Sequence, residues 1–489
     1  MTASLFLSLR PGMRLAGRDG DVLELLNGDR RAELKGLHRA ARRALLRLAA
    51  AAAPEDELAD GVSAEGGPRA LAEFYHYVGR LERGGWLARS ARLDGRALAT
   101  LLPASPSFEF SRPTCPPGSF FTLSRFAYMR AEGGVMVLES PLAHSRVVIH
   151  ESTVAALAHS LARPQTIRTL GDRHAGLPAE AVEQLMVLLV AARVVVPSAE
   201  DGVSGEEQNA ALRSWEFHDL LFHARSRQGR HDSPSGGTYR LRGVVEPPPV
   251  LRPVSAEGAI DLYRPDMDRL KLTDAAFALV QEARRSVREY DDRPITAEQL
   301  GEFLYRAARV REYRSVQKPG ARESPAAEMA CRPYPSAGGL YELELYVIID
   351  ACEGLAPGSY YYDPRRHRLL PSSARAPDAE VLLRDASRGT SIPRERLQVL
   401  LVIAARFGRV SWKYSSMAYA ATLKNVGVLF QTMYLVATAM GLAPCAVGCG
   451  NSDAFARAMG TDYYEETSVG EFLLGSKSAG PSLHEAEKP

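Results

Sequence analysis

At 489 residues the chain exceeds what one hydrophobic core ordinarily organises, so about two to four domains are expected. A hydrophobic fraction of 46% and a charged fraction of 24% match packed globular proteins and exclude a largely disordered, collagen-like or disulfide-scaffold chain. Sixty basic against fifty-eight acidic residues leave +2, so no global field argues for a nucleic-acid or membrane-surface partner.

Five cysteines, Cys115, Cys331, Cys352, Cys445 and Cys449, show no repeated CxxC spacing; neither a disulfide framework nor a zinc module is expected, and a reducing, cytoplasmic setting fits. The start, MTASLFLSLRPG, lacks the basic and long apolar regions of a signal peptide. The most apolar long stretch, 426–447, is interrupted by Gln431, Thr432, Thr438, Gly441 and Pro444 and reads as a buried helix, not a membrane span. Lysines are few, at positions 35, 271, 318, 413, 424, 477 and 488, and each offers an amine that can lose its proton, which arginine cannot imitate.

In chain order, GDVLEL reads as a strand, 32–53 as a basic amphipathic run, APEDELADGVSAEGGPR as a polar breaker, and 70–81 as a helix leading into GGWLARSARLDG. GGVMVLESPLAHSRVVIH then reads as a hairpin, and VAALAHSLARPQTIRTL and AVEQLMVLLVAARVVV as helices, the second running into a β-branched strand. This recurrence resembles a tandem pair of winged-helix-like modules, at 1–104 and 105–200. The candidate recognition helix, 181–196, carries only Arg193 as a base, too little for a DNA groove, so a docking or packing role is expected. A linker and lead-in segment follows at 201–270. His218, His223 and His231 crowd its first part, but the first two are five apart and share no helix face, so no metal is expected. GVVEPPPVLRP is a proline-rich connector that runs extended.

From 271 to 489 the pattern is α+β. Thr273 is expected to cap a helix over AAFALVQEARRS, and Thr296 with Gln299 forms a capping box for AEQLGEFLYRAARV. A loop, SVQKPGARESPAAEMACRP, leads to PYPSAGGLY; LELYVIID, YYYDPRRHRLL and LQVLLVIAARF read as strands, the middle one a hairpin. SWKYSSM and the apolar helix precede a turn at GLAPCAVGCGNSD, a short helix ending at Gly460, and a strand, EFLLG.

The familiar nucleotide signatures fail. GCGNSD has Asp453 where a third glycine belongs, and GEFLLGSKS has Ser476 between the glycine and Lys477. Two features remain. Arg284, Arg285, Ser286 and Arg288 end a helix ahead of Tyr290; such a cluster holds a phosphate by charge-assisted bonds or simply complements the helix dipole. PSAGG, at 335–339, offers a rigid φ, a hydroxyl and two residues without Cβ, a loop that lets backbone approach a flat ligand. Together they read as a site for a phosphorylated, planar cofactor.

RRSVREY, PYPSAGGLYELELYVII, GSYYYDP with RRHRLL, and WKYSSMAYAATLKNVGVLFQTMYLVATAMGL follow one another in an order that resembles the nitroreductase-like flavoproteins, specifically the SagB-type branch that includes azoline dehydrogenases. WEFHDLLFHARSR resembles a lead-in of the same branch. The resemblance implies an FMN enzyme that oxidises thiazoline or oxazoline rings of a modified peptide to thiazoles or oxazoles. It further implies that Arg285, Ser286 and Arg288 hold the FMN phosphate, that Pro335, Ser336, Ala337 and Gly338 lie along the flavin, and that Gly448 and Gly450 bring backbone near its edge. Lys477 either adds to the phosphate site or belongs to a tail. Lys413 and Tyr414 would serve catalysis. Aromatising an azoline removes a proton from one ring carbon and a hydride from the next, so a base must stand beside the hydride acceptor. An ordinary lysine is protonated at neutral pH, and presenting it as a free amine costs roughly 3 to 5 kcal/mol. Trp412 and the apolar helix would supply burial, and Tyr414 would share or relay the proton.

The family implies a homodimer with FMN at the subunit interface, and the helix 423–440, apolar nearly all round, suits a dimer core. Cys445 and Cys449 are expected to be bystanders, and Gln431 a satisfied buried amide. The N-terminal modules either bind a leader peptide by strand addition or are structural; a cyclodehydratase is the partner such a reaction implies. Two other readings stand: a SagB-like oxidoreductase acting on a carrier-bound thiazoline, another small heterocycle or a nitro compound, and a flavin-free scaffold of a peptide-modifying complex.

Overall fold

A computed structural model describes residues 5–17, 22–27, 30–316, 327–372 and 376–477. The middle of the expected loop SVQKPGARESPAAEMACRP, and Lys318 and Lys488, lie outside the described residues. The chain divides into two compact units, 1–233 and 234–489, and the division falls inside the stretch read from sequence as a linker.

In the first unit, a seven-stranded antiparallel sheet runs in the order Ala53–Pro54, Phe6–Leu9, Leu87–Leu93, Arg96–Pro103, Ser145–Ile149, Val135–Glu139 and Tyr128–Glu132. Strand Arg96–Pro103 pairs with Ser145–Ile149, so one sheet passes through both expected modules. The run APEDELADGVSAEGGPR, expected to break structure, is helical through most of its length, within helix Glu55–Arg83. Its acidic residues Glu55, Asp56 and Glu57 occupy the first turn, where they complement the helix dipole, while Leu58, Ala59 and Val62 are buried. The helix departs from regular geometry only at Gly67 (φ 68), just before Pro68. The candidate recognition helix, expected to dock or pack, spans Ala179–Ala191 and is a core element, with Val182, Leu185, Met186, Leu188 and Leu189 all buried.

The second unit is built on another seven-stranded antiparallel sheet, ordered Ile260–Asp261, Arg368–Pro371, Gly358–Asp363, Leu343–Ile349, Val399–Arg406, Glu466–Ser476 and Leu442–Val447. The two central strands are apolar on both faces because helices cover both. Leu345, Val347, Leu401 and Ile403 pack in one core with helices Ala297–Ala308 and Ala418–Ala439. The alternate residues Tyr346, Ile348, Leu400 and Val402 pack in a second core with helices Ala376–Thr390 and Ser452–Met459. The capping box at Thr296 and Gln299 forms as read.

Three local expectations change. Thr273 caps no helix; it ends Met267–Thr273, whose N-cap is Asp266, and bonds back to the Arg269 carbonyl at 3.1 Å. The expected turn at GLAPCAVGCGNSD holds an edge strand, Leu442–Val447, where Pro444 is tolerated because it stands on the outermost strand. Gln431 is exposed, not a buried amide. Among the described residues no helix is long and apolar enough to cross a membrane.

Candidate active site

The PSAGG loop ends in a tight turn, Ala337–Gly339, in which Gly338 has φ 61 and Gly339 φ 66. A Cβ at Gly338 would overlap the Tyr414 hydroxyl and lie 2.7 Å from Lys413 Nζ. Glycine is thus required there twice, for its left-handed backbone and for the space its missing side chain leaves. The same contact states where the two polar side chains point: Lys413 Nζ and Tyr414 Oη converge on the Gly338 backbone, with Nζ 5.2 Å from the Tyr414 ring centroid.

Lys413 and Tyr414 follow the short helix Phe407–Ser411, and both backbone amides bond back to Val410, at 3.2 and 2.9 Å. Arg409, nearly buried, ties this helix to the loop by two bonds to the Leu340 carbonyl, at 3.2 and 2.9 Å. Burial, with Arg406 nearby, brings Arg409 down to about 10. Residues 234–245 lie over the other side. Tyr239 N–H donates to the Lys413 carbonyl at 3.1 Å, Gly236 and Ser415 exchange two backbone bonds, and Trp412 Nε1 donates to the Val245 carbonyl at 2.7 Å.

Beneath the loop lies a buried polar network. Asn425, on helix Ala418–Ala439, accepts from Ala337 N–H at 3.0 Å and donates to Glu342 Oε1 at 2.7 Å. Ser336 Oγ donates to Glu342 Oε2 at 3.2 Å and accepts from Tyr341 N–H at 3.0 Å. Glu342 is fully buried, so its charge depends on these partners.

The arginine cluster leaves helix Phe277–Ala283 in extended form and runs beside the edge strand, where Val287 N–H donates to the Pro444 carbonyl at 2.8 Å. Ser286 Oγ is 2.7 Å from Tyr434 Oη, which accepts from Ala446 N–H at 2.8 Å. Arg284 packs over the Tyr434 ring at 5.3 Å. Arg285 and Arg288 are exposed, and neither has a carboxylate partner among the described residues. Two unpaired guanidinium groups flanking a hydroxyl fit a phosphate. Lys477 is exposed and follows Ser476, whose carbonyl accepts from Asp291 N–H at 3.2 Å, so it leaves the sheet close to the arginine segment. Gly448 is exposed and a Cβ there would meet open space, whereas one at Gly450 would overlap the Glu471 carboxylate. Burial pushes the Cys445 thiol up, which suits a bystander. Asn425 and Tyr434 stand nine positions apart, so helix Ala418–Ala439 separates the loop end from the arginine end by about 13 Å along its axis.

Three family models match the chain: the ThcOx helix-turn-helix domain over 1–112, the cyanobactin oxidase ThcOx over 121–232, and the nitroreductase family over 282–475. The chain is similar to the nitroreductase family over 282–475 and resembles its SagB-type branch. A putative nitroreductase, MJ1384, of Methanocaldococcus jannaschii is 29% identical to this chain over 197 residues, which cover 39% of the chain and 84% of that protein. The microcin B17-processing protein McbC of Escherichia coli is 30% identical over 144 residues, 28% of the chain and about half, 52%, of McbC. Among solved structures, the E. coli microcin synthetase McbBCD complex with truncated pro-MccB17 bound aligns at 19% identity and a TM-score of 0.33, covering 52% of this chain and 85% of that one.

Glu342 and Asn425 are the residues of this candidate site that sequence reading missed. Their signal was present: a carboxylate opening an apolar strand and an amide inside an apolar helix are the residue types that stay inside only when paired. Asn425→Ala leaves Glu342 and the Ala337 amide short of partners. We expect a loss of about 3 kcal/mol, read as a lower urea midpoint at unchanged slope.

Proposed function

We propose that this protein is an FMN-dependent dehydrogenase that converts thiazoline or oxazoline rings of a modified peptide to thiazoles or oxazoles. The observation that carries the reading is the convergence of Lys413 Nζ and Tyr414 Oη on the backbone of Gly338. It puts an amine and a hydroxyl against the loop that, on the resemblance, lies along the flat ring of the cofactor. FMN, when bound, supplies the acceptor for the hydride that leaves the azoline carbon, with dioxygen as the final oxidant. Lys413 takes the proton from the neighbouring ring carbon at Nζ, and Tyr414 Oη relays it onward. Arg285, Ser286 and Arg288 hold the phosphate, with Lys477 adding charge at the same end. Pro335, Ser336, Ala337 and Gly338 form the wall along the ring, kept in place by Asn425 and Glu342. Gly448 lends backbone at its edge.

A homodimer belongs to this reading. Helix Ala418–Ala439 leaves Tyr419 48% and Leu423 39% exposed, an apolar surface that a second copy covers. The matches to a cyanobactin oxidase and to a microcin-processing protein support a peptide substrate, a cyclodehydratase that makes the azoline, and a leader peptide held by the N-terminal winged-helix-like modules.

The test is flavin content followed by turnover. The purified chain should be yellow, release FMN on heat denaturation, and oxidise an azoline peptide. Arg288→Ala should stay folded yet bind FMN about 10- to 100-fold more weakly, because one charge-assisted phosphate contact is gone. A chain that takes up no FMN in a fluorescence titration rejects the reading.

A further inference from the structure

The first unit contains a cavity of about 490 Å³, bounded by the strands Tyr128–Glu132, Val135–Glu139 and Ser145–Ile149, by helix Phe217–Ser226 and by residues 231–233. Its volume lies within the range of about 300 to 1,000 Å³ usual for small-ligand sites. Ala104, Leu221 and Phe222 give it an apolar wall.

The polar wall is charged, and most of that charge is already matched. Glu139 accepts from Tyr128 Oη at 2.7 Å, Arg130 Nε at 3.1 Å and Arg225 Nη2 at 3.3 Å. Asp232 accepts from Arg10 Nη2 at 2.9 Å, and Glu132 from Arg146 Nη1 at 3.4 Å. Arg10, Arg130, Arg146 and Arg225 therefore face three carboxylates, an excess of one positive charge.

The groups left over include two donors, one ring N–H of His231 and Arg146 Nε. His231 lines the cavity at 8% exposure, and among the described residues neither of its ring nitrogens has a hydrogen-bond partner; Arg146 Nε, also on the lining, has none there either. An unpaired buried polar atom costs about 1 to 3 kcal/mol, so a native structure keeps one only where something else pairs with it. Spare donors, one surplus positive charge and an apolar wall select an anion attached to an apolar group.

We infer that this cavity binds a carboxylate-bearing ligand, with the carboxylate on His231 and Arg146 and an adjoining apolar group against Leu221 and Phe222. Such a carboxylate comes from an acidic residue of a peptide or from a free organic acid. The two sources separate in calorimetric titrations of the full-length protein with the capped peptide Ac-Leu-Glu-Leu-NH2, its glutamine counterpart Ac-Leu-Gln-Leu-NH2, and glutarate.

The glutamate peptide or glutarate should bind, the tighter of the two naming the source. The glutamine peptide should bind about tenfold more weakly or worse than the glutamate peptide. His231→Leu and Arg146→Gln should each weaken the bound acid by a similar factor. Since either variant can disturb folding, the ¹⁵N signals of the His231 imidazole in the unmodified chain provide a second readout and should move on adding the acid. Equal binding of the glutamate and glutamine peptides, or no heat and no imidazole shift at about 1 mM of either acid, overturns the inference.

Discussion

Lys413→Ala should leave the protein folded and loaded with FMN while slowing azoline oxidation by about 100- to 10,000-fold, the range that a positioned proton acceptor contributes. The side chain is only partly buried and makes no ion pair among the described residues, so its removal disturbs little packing. What disappears is the amine that reaches the Gly338 backbone. Anaerobic single-turnover mixing with an azoline peptide reads the proton-transfer step, and reduction by dithionite checks that the flavin itself still responds. Lys413→Arg should be nearly as slow, because a guanidinium stays protonated near neutral pH and cannot take up the proton of the ring carbon. A normal rate in either variant removes Lys413 from the role of base.

Gly338→Ala and Gly339→Ala form the second test, since they separate strain from displacement. Both glycines have left-handed φ, at 61 and 66, so each alanine costs about 1 to 2 kcal/mol and should lower the melting temperature by a similar amount. Only the first adds an atom where Tyr414 and Lys413 converge; the Cβ of the second meets nothing within 4 Å. Gly338→Ala must push the hydroxyl and the amine aside, and a shift near 1 Å in reacting groups costs about 100-fold in rate. Gly339→Ala should keep most of its turnover. Equal activity in two equally destabilised variants would show that the contact at Gly338 plays no part in the reaction.

Some of the site's surroundings were readable before any coordinates, and the reason is range. The continuous apolar run of Leu345, Tyr346, Val347 and Ile348 reads as a strand within one short stretch, and the coordinates bury its alternate residues in two cores. The pairing of Thr296 with Gln299 spans a single helical turn. By the same token, 55–66 was misread because its acidic composition resembles a loop, whereas its helix draws on the burial of Leu58 and Val62 against distant strands. The strand at 442–447 was misread because Pro444 and Gly441 signal a turn, and only its place at the sheet edge makes the proline harmless.

From the one-dimensional text came the family, the α+β class of the second half, the arginine cluster and the glycine loop, all carried by residues near one another in the chain. The coordinates alone brought Gly338 against Lys413, set Asn425 under the loop beside Glu342, and laid residues 234–245 over the lysine. Those contacts join positions from about 75 to nearly 180 apart in number, and no local propensity encodes them. They exist because burying the apolar faces of one sheet forces particular turns and helix ends together, and the polar groups caught between them must find one another or remain unpaired.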